Sequence, residues 1–210
     1  MAIYQLSSSY VESHHFGAQI LPPDGKSAVE EGAEVFWFSP SMKAPRALDE
    51  EELSLLSRCR IQLSQRPQKP LHIAAIHDNL LIVDRQMAEL IEEMSPGIHQ
   101  ILPLNHVWFR GAKHPSPGLY CAVLVLDYAH TVDLERADVQ RHYVEHLGVT
   151  SIWLAAVFPE RRIIRAETGL DRHIWADDPT GAVFCSDAFR NRAMALPGLV
   201  GAVFQSCTET

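Results

Sequence analysis

The sequence predicts an α+β fold, with a mixed, mostly antiparallel sheet and several helices in two loosely divided lobes. Three observations carry this expectation. Apolar runs are short and bounded by turn residues, as in Leu80–Val83 and Leu119–Leu126, which are strand lengths. Helical patterns start at residues suited to capping, such as Asp84 and Ser186. A polar stretch with two prolines, Gln65 to Pro70, divides the chain and sets the expected lobes at 1–70 and 71–210. The length of 210 residues suits one large domain or two small lobes.

In the first lobe, Ile3 to Ser9 reads as a strand and Pro22-Pro23-Asp24-Gly25 as a turn. Glu34 to Phe38 reads as a strand that stops at Ser39-Pro40. A helix is expected over Leu48 to Ser57. Its first turn holds Asp49, Glu50, Glu51 and Glu52, and Arg58 and Arg60 lie near its end, which matches the helix dipole.

The second lobe is more regular. Leu80–Val83 is a strand, and Asp84 caps a helix to about Met94 with Met87, Leu90, Ile91 and Met94 on one face. Ser95-Pro96-Gly97 stops it, and Gln100 to Leu104 returns as a strand. Residues 111–118 form a hairpin-like loop. Strands are then expected over Tyr120–Leu126 and Ser151–Phe158, with weaker ones at Arg161–Ala166 and His173–Ala176. At the end Ala182–Phe184 precedes Ser186, a helix over Asp187–Ala195, a Pro197-Gly198 stop and a strand over Val200–Phe204. Strand, cap, helix, glycine stop and strand thus occur twice, at 80–104 and 182–205. Two units are too few for a solenoid, which needs about three or more.

Composition narrows the function. Apolar residues make up 47% and charged residues 21%, ordinary values for a globular chain. Lys plus Arg number 18 against 26 Asp plus Glu, a formal charge of -8. Such a surface repels nucleic-acid phosphates and favours a basic protein partner. Leu119–Leu126 is far short of the about 20 apolar residues that cross a membrane. Met1–Tyr10 has neither the basic start nor the apolar stretch of a secretion signal, so a cytoplasmic location is expected. Cys59, Cys121, Cys185 and Cys207 are scattered and form no CxxC pair. Reduced thiols are the expectation, rather than disulfides or a zinc site.

The catalytic motifs are sparse. His142-Tyr-Val-Glu145-His146 fits H-x-x-E-H. On a helix the two histidines would share a face and hold zinc, with the glutamate as base. This makes a small zinc hydrolase the alternative reading. Against it, the motif fixes only three positions in a chain with 11 histidines, and Gly148 follows at once. Asp24-Gly25-Lys26-Ser27 resembles the end of a phosphate loop, but Ile20 stands where the loop needs glycine. There is no G-x-S-x-G or G-x-G-x-x-G. No cofactor is expected. The acidic runs remain: Glu30-Glu31 with Glu34, Asp49 to Glu52, Glu92-Glu93 and Asp177-Asp178. They solvate the surface and favour helix starts, and they could also pair with arginines of a basic partner.

Several of these segments resemble a known family. They are Leu81-Ile-Val-Asp84 before a helix, Gln100-Ile-Leu-Pro103 after it, the strand Tyr120–Leu126, Val132-Asp-Leu-Glu-Arg136, Val183-Phe-Cys-Ser186 before the last helix, and Gly198–Phe204. Over roughly residues 75–206 the chain resembles the immunity proteins of bacterial polymorphic toxin systems, a family first catalogued as a domain of unknown function. Two segments depart from its pattern: Ala137 stands where members often place serine, and Leu199-Val-Gly-Ala where a Thr-Gly pair is commoner. The resemblance implies a binding protein rather than an enzyme. Its partner would be a cognate toxin, basic and often a nuclease acting in the cytosol after delivery by a secretion system. The expected toxin-binding residues are Asp49, Glu50, Glu51, Glu52, Asp177 and Asp178, on a chain that is a monomer or weak dimer when free.

Overall fold

The computed structural model describes residues 2–8, 18–21, 46–63, 71–105, 107–109, 120–145, 149–155 and 158–210. In the first half the order is β1 (Ile3–Ser8), β2 (Ala18–Leu21), α1 (Glu50–Arg58), β3 (Arg60–Leu63), β4 (Ile73–His77), β5 (Leu80–Asp84), α2 (Arg85–Met94), β6 (Gln100–Leu104) and β7 (Val107–Phe109). Then follow β8 (Tyr120–Leu124), β9 (Tyr128–Ala129), β10 (Val139–Val144), β11 (Val149–Leu154), β12 (Ile163–Ile164), β13 (Ile174–Asp177), β14 (Val183–Ser186), α3 (Asp187–Met194), β15 (Ala202–Ser206) and β16 (Thr208–Glu209). The strands pair mostly antiparallel, so the fold is α+β.

Two sheets share one plan. In the first, the strand order is β4-β5-β8-β6, and in the second it is β13-β14-β1-β15, with β9 added beyond β13. In each, two strands form a hairpin and a capped helix follows. The strand after the helix lies one place away, and a fourth strand fills the gap antiparallel to both neighbours. The register agrees as well. The cap Asp84 faces Tyr120 at the start of β8, and the cap Ser186 faces Ile3 at the start of β1. Asp84 N–H donates to His72 O at 3.1 Å, and Ser186 N–H donates to His173 O at 3.0 Å. Gly97 and Gly198 follow the helices with φ of 68° and 67°, the left-handed region that glycine enters cheaply. The repeated sequence pattern is therefore a repeated fold, in which the N-terminal β1 supplies the fourth strand of the second unit.

The caps explain why helices begin where they do. Asp84 accepts from Met87 N–H at 2.9 Å and Ser186 Oγ from Phe189 N–H at 3.2 Å, satisfying donors that the first turn leaves open. Met87 and Ile91 on α2 match Phe189 and Ala193 on α3, all four fully buried. With Leu81, Val83, Val123, Ile174, Val183 and Cys185 they form one core into which both sheets and both helices pack. Fully burying one such large side chain stabilises the fold by about 1.5–3 kcal/mol.

The outer faces carry two smaller cores. Leu80, Ile82, Ala122 and Leu124 face Leu56 of α1, Ile61 and Leu63 of β3, and Val107 of β7. Here β2-β3-β7 forms a three-stranded sheet. Gln100 ties the segment leading into α1 to β6, accepting from Leu48 N–H at 2.9 Å and donating to Leu48 O at 3.0 Å. Behind the second sheet, Ile3, Trp175 and Phe184 pack with Val132 and Ile164.

Some expectations shift. The last strand begins at Ala202 rather than Val200, because Gly201 turns there with φ of 91°. The turn read at Pro22–Gly25, the strand at Glu34–Phe38 and the loop at 111–118 lie outside the described residues.

Candidate functional site

The acidic residues singled out from sequence belong to different elements. Asp49 caps α1 in a capping box. It accepts from Glu52 N–H at 2.9 Å, while Glu52 accepts from Asp49 N–H at 3.0 Å. Arg46 grips Glu52 through two bonds of 2.8 and 2.6 Å, and that bond holds the Glu52 carboxyl below its ordinary pKa. Glu50 and Glu51 on the same turn are exposed. Asp177 is only 1% exposed. Its carboxylate accepts from Thr131 and Val132 N–H at 2.6 and 2.8 Å, and from Thr180 N–H and Oγ1–H at 3.2 and 2.6 Å. Asp177 therefore organises the β13–β14 turn, and of the pair only the partly buried Asp178 reaches solvent. Glu89, Glu92 and Glu93 project from α2, with Glu89 held by Arg85 at 2.8 Å and Glu93 by Arg192 of α3 at 2.8 Å.

The helix that the H-x-x-E-H reading assumes is not what the structure shows at His142. His142 lies on β10 and not on a helix, so the single turn that would set residues four apart side by side is missing. A strand instead carries the chain forward by about 3.3 Å per residue. The reason is the neighbouring Val149–Leu154, rich in β-formers, which pairs with 139–144 along its whole length. His146 lies outside the described residues. Among the described residues no three His, Cys, Asp or Glu side chains cluster as a metal site.

The four cysteines are unpaired thiols. Burial pushes the Cys185 thiol far above its ordinary range and the Cys207 thiol up to about 12. Neither is suited to act as a nucleophile, which needs the thiolate.

Sequence reasoning left unplaced the aromatics that the fold exposes. Tyr143 is 60% exposed, Trp153 44% and Phe158 58%. The first two stand on β10 and β11, and the third lies just beyond them. His142 and Trp153 touch, with ring centroids 6.1 Å apart. Alternation along 139–144 and 149–154 could have placed them on a hairpin, but not outside the core. Among the described residues no helix is long and apolar enough to cross a membrane. The exposed side chains thus include carboxylates on α1 and α2 and aromatics on β10 and β11. A family model described as "Immunity protein family (Imm11)" matches residues 26–209. No curated protein matches the chain.

Proposed function

We propose that this chain, which belongs to the Imm11 immunity protein family, binds a cognate bacterial toxin directly and neutralises it by occupying its surface rather than by chemistry. The family match over residues 26–209 is the observation that carries this reading. On our reading the toxin is a basic, cytosol-acting nuclease delivered by a secretion system. The formal charge of -8 supports a basic partner, since opposite charge speeds encounter and orients it. On our reading the exposed Glu50, Glu51, Glu92 and Glu93 and the partly buried Asp178 are the carboxylates that meet it. Carboxylates pair with arginines in the geometry of phosphates, which suits an inhibitor of a nucleic-acid enzyme. Four unpaired thiols fit a reducing cytosol.

The test is co-purification with the product of the adjacent gene, together with growth of cells that express that product. A stable complex that rescues growth supports neutralisation by binding. Association that slows as salt rises from 50 to about 500 mM supports the electrostatic part. A salt-independent rate would remove the basic-partner element and leave the immunity role standing.

A further inference from the structure

We infer that the β10–β11 hairpin is the arm by which this chain grips its toxin, with Tyr143 and Trp153 entering an apolar cleft of that protein. The inference rests on the immunity reading above and adds the surface. Paired residues share a face of the ladder, so Val139 and Leu154, Arg141 and Ile152, and Tyr143 and Thr150 line one side. Gln140 and Trp153, and His142 and Ser151, line the other.

The base of the hairpin is fixed. Val139 and Leu154 pack on the core formed by Ile3, Val132, Ile164, Trp175 and Phe184. Ala155 N–H donates to Asp138 O at 2.9 Å, and Asp138 N–H donates to Arg161 O at 3.0 Å. Beyond that base, Gln140, Arg141, His142 and Tyr143 on β10 and Thr150 and Trp153 on β11 are all exposed. Among the described residues no third strand joins the pair. A two-stranded ribbon alone in water is marginal at best, so a ribbon that keeps aromatics on both faces is built to be covered.

Geometry and charge say by what. Tyr143 and Trp153 stand on opposite faces of the ribbon, so a flat partner covers one of them, whereas a cleft that encloses the ribbon covers both. The composition of Tyr, Trp and Arg is that of interface hot spots. The charges around the arm nearly cancel, with Arg141 and Arg161 against Asp138, Glu145 and Glu160, and Arg161 paired to Asp138 at 3.8 Å. The arm therefore fits an uncharged apolar cleft, while the acidic surfaces elsewhere guide approach. A second copy fits less well, because stacking the Tyr143 faces of two chains brings their Arg141 side chains together. Carboxylates then set the association rate and the arm sets the lifetime of the complex.

The probe is the adjacent-gene product, immobilised, with binding rates measured for the wild type and for Tyr143→Ala, Trp153→Ala and Met194→Ala. The Met194 side chain is 54% exposed on α3 and serves as control. The two hairpin variants should keep the melting temperature of the wild type. They should dissociate about 30-fold faster or more, as hot-spot truncations do, with association unchanged. Met194→Ala should match the wild type. Wild-type lifetimes in both hairpin variants, with the toxin still bound, would overturn the arm and leave the immunity reading intact. No binding by the wild type would overturn both. A free chain that dimerises at micromolar concentration, and becomes monomeric in Tyr143→Ala, would assign the arm to a second copy and overturn it as a toxin contact.

Discussion

His99 is 7% exposed, and its Nδ1 accepts from Leu126 N–H at 3.3 Å. Burial lowers its pKa from 6.5 to about 4, with Glu92 opposing. The unfolded chain therefore takes up this proton near pH 6.5 and the folded chain only near 4. Stability from this site is complete above 6.5, falls as pH drops towards 4, and then levels off. The gap amounts to on the order of 3 kcal/mol. In His99→Gln the amide oxygen can still accept from Leu126 but takes no proton, so urea midpoints at pH 7 and pH 4.5 should lie closer together than in the wild type. An unchanged acid slope would place the loss elsewhere. Gly201 makes a second residue-scale case. With φ of 91°, a Cβ there would stand 2.4 Å from Ile73 O, at the seam where His72 N–H donates to Val200 O at 2.8 Å. Gly201→Ala should cost about 2–3 kcal/mol or more, whereas Gly97→Ala, with nothing within 4 Å of its Cβ, should cost about 1–2 kcal/mol. Thermal melts of the two variants check the difference. At this scale the sequence was readable for caps and blind to burial. Asp84, Ser186 and Asp49 cap helices as their positions predict. Asp177 read as a surface acid, yet four donors hold it inside. The turn signal Asp-Pro-Thr-Gly after it was the available clue.

Elements separate by how local their cause is. The runs β5-α2-β6 and β14-α3-β15 were legible because strand, cap, apolar stripe and glycine stop all sit in one short stretch. β3, β4 and β7 were not, since they are short and gain order from neighbours far along the chain, as β3 does from β2 and β7. Around His142, Val139 and Tyr143 stand four apart, which suits one face of a helix as well as one face of a strand, and only the pairing with β11 decides it. β1 was read as a strand, but its place between β14 and β15 is set by the whole fold. That place makes a prediction. Leu6 is 2% exposed in the shared core, and Leu6→Ala should destabilise the chain by about 2–5 kcal/mol, read from denaturant midpoints. A cost near zero would mean that β1 adds little to the second sheet.

Over the whole molecule, the doubled ββαβ plan joins two sheets through one core in which α2 meets α3. We therefore expect one unfolding transition, with fluorescence of the buried Trp175 and far-UV circular dichroism losing signal at the same urea concentration. Separate midpoints would favour two lobes that melt independently. The same plan leaves carboxylates on α1 and α2 and aromatics on β10 and β11 exposed, the surfaces we propose for contact. Neutralisation by binding requires that this acidic protein and its toxin meet in the cell. Its most direct test is growth of cells expressing the adjacent-gene product, with and without this chain, alongside purification of the two together. Arrest without the chain, growth with it and a single stable complex on elution are expected. Arrest that persists in the presence of the well-expressed chain, with the two proteins eluting apart, would contradict it.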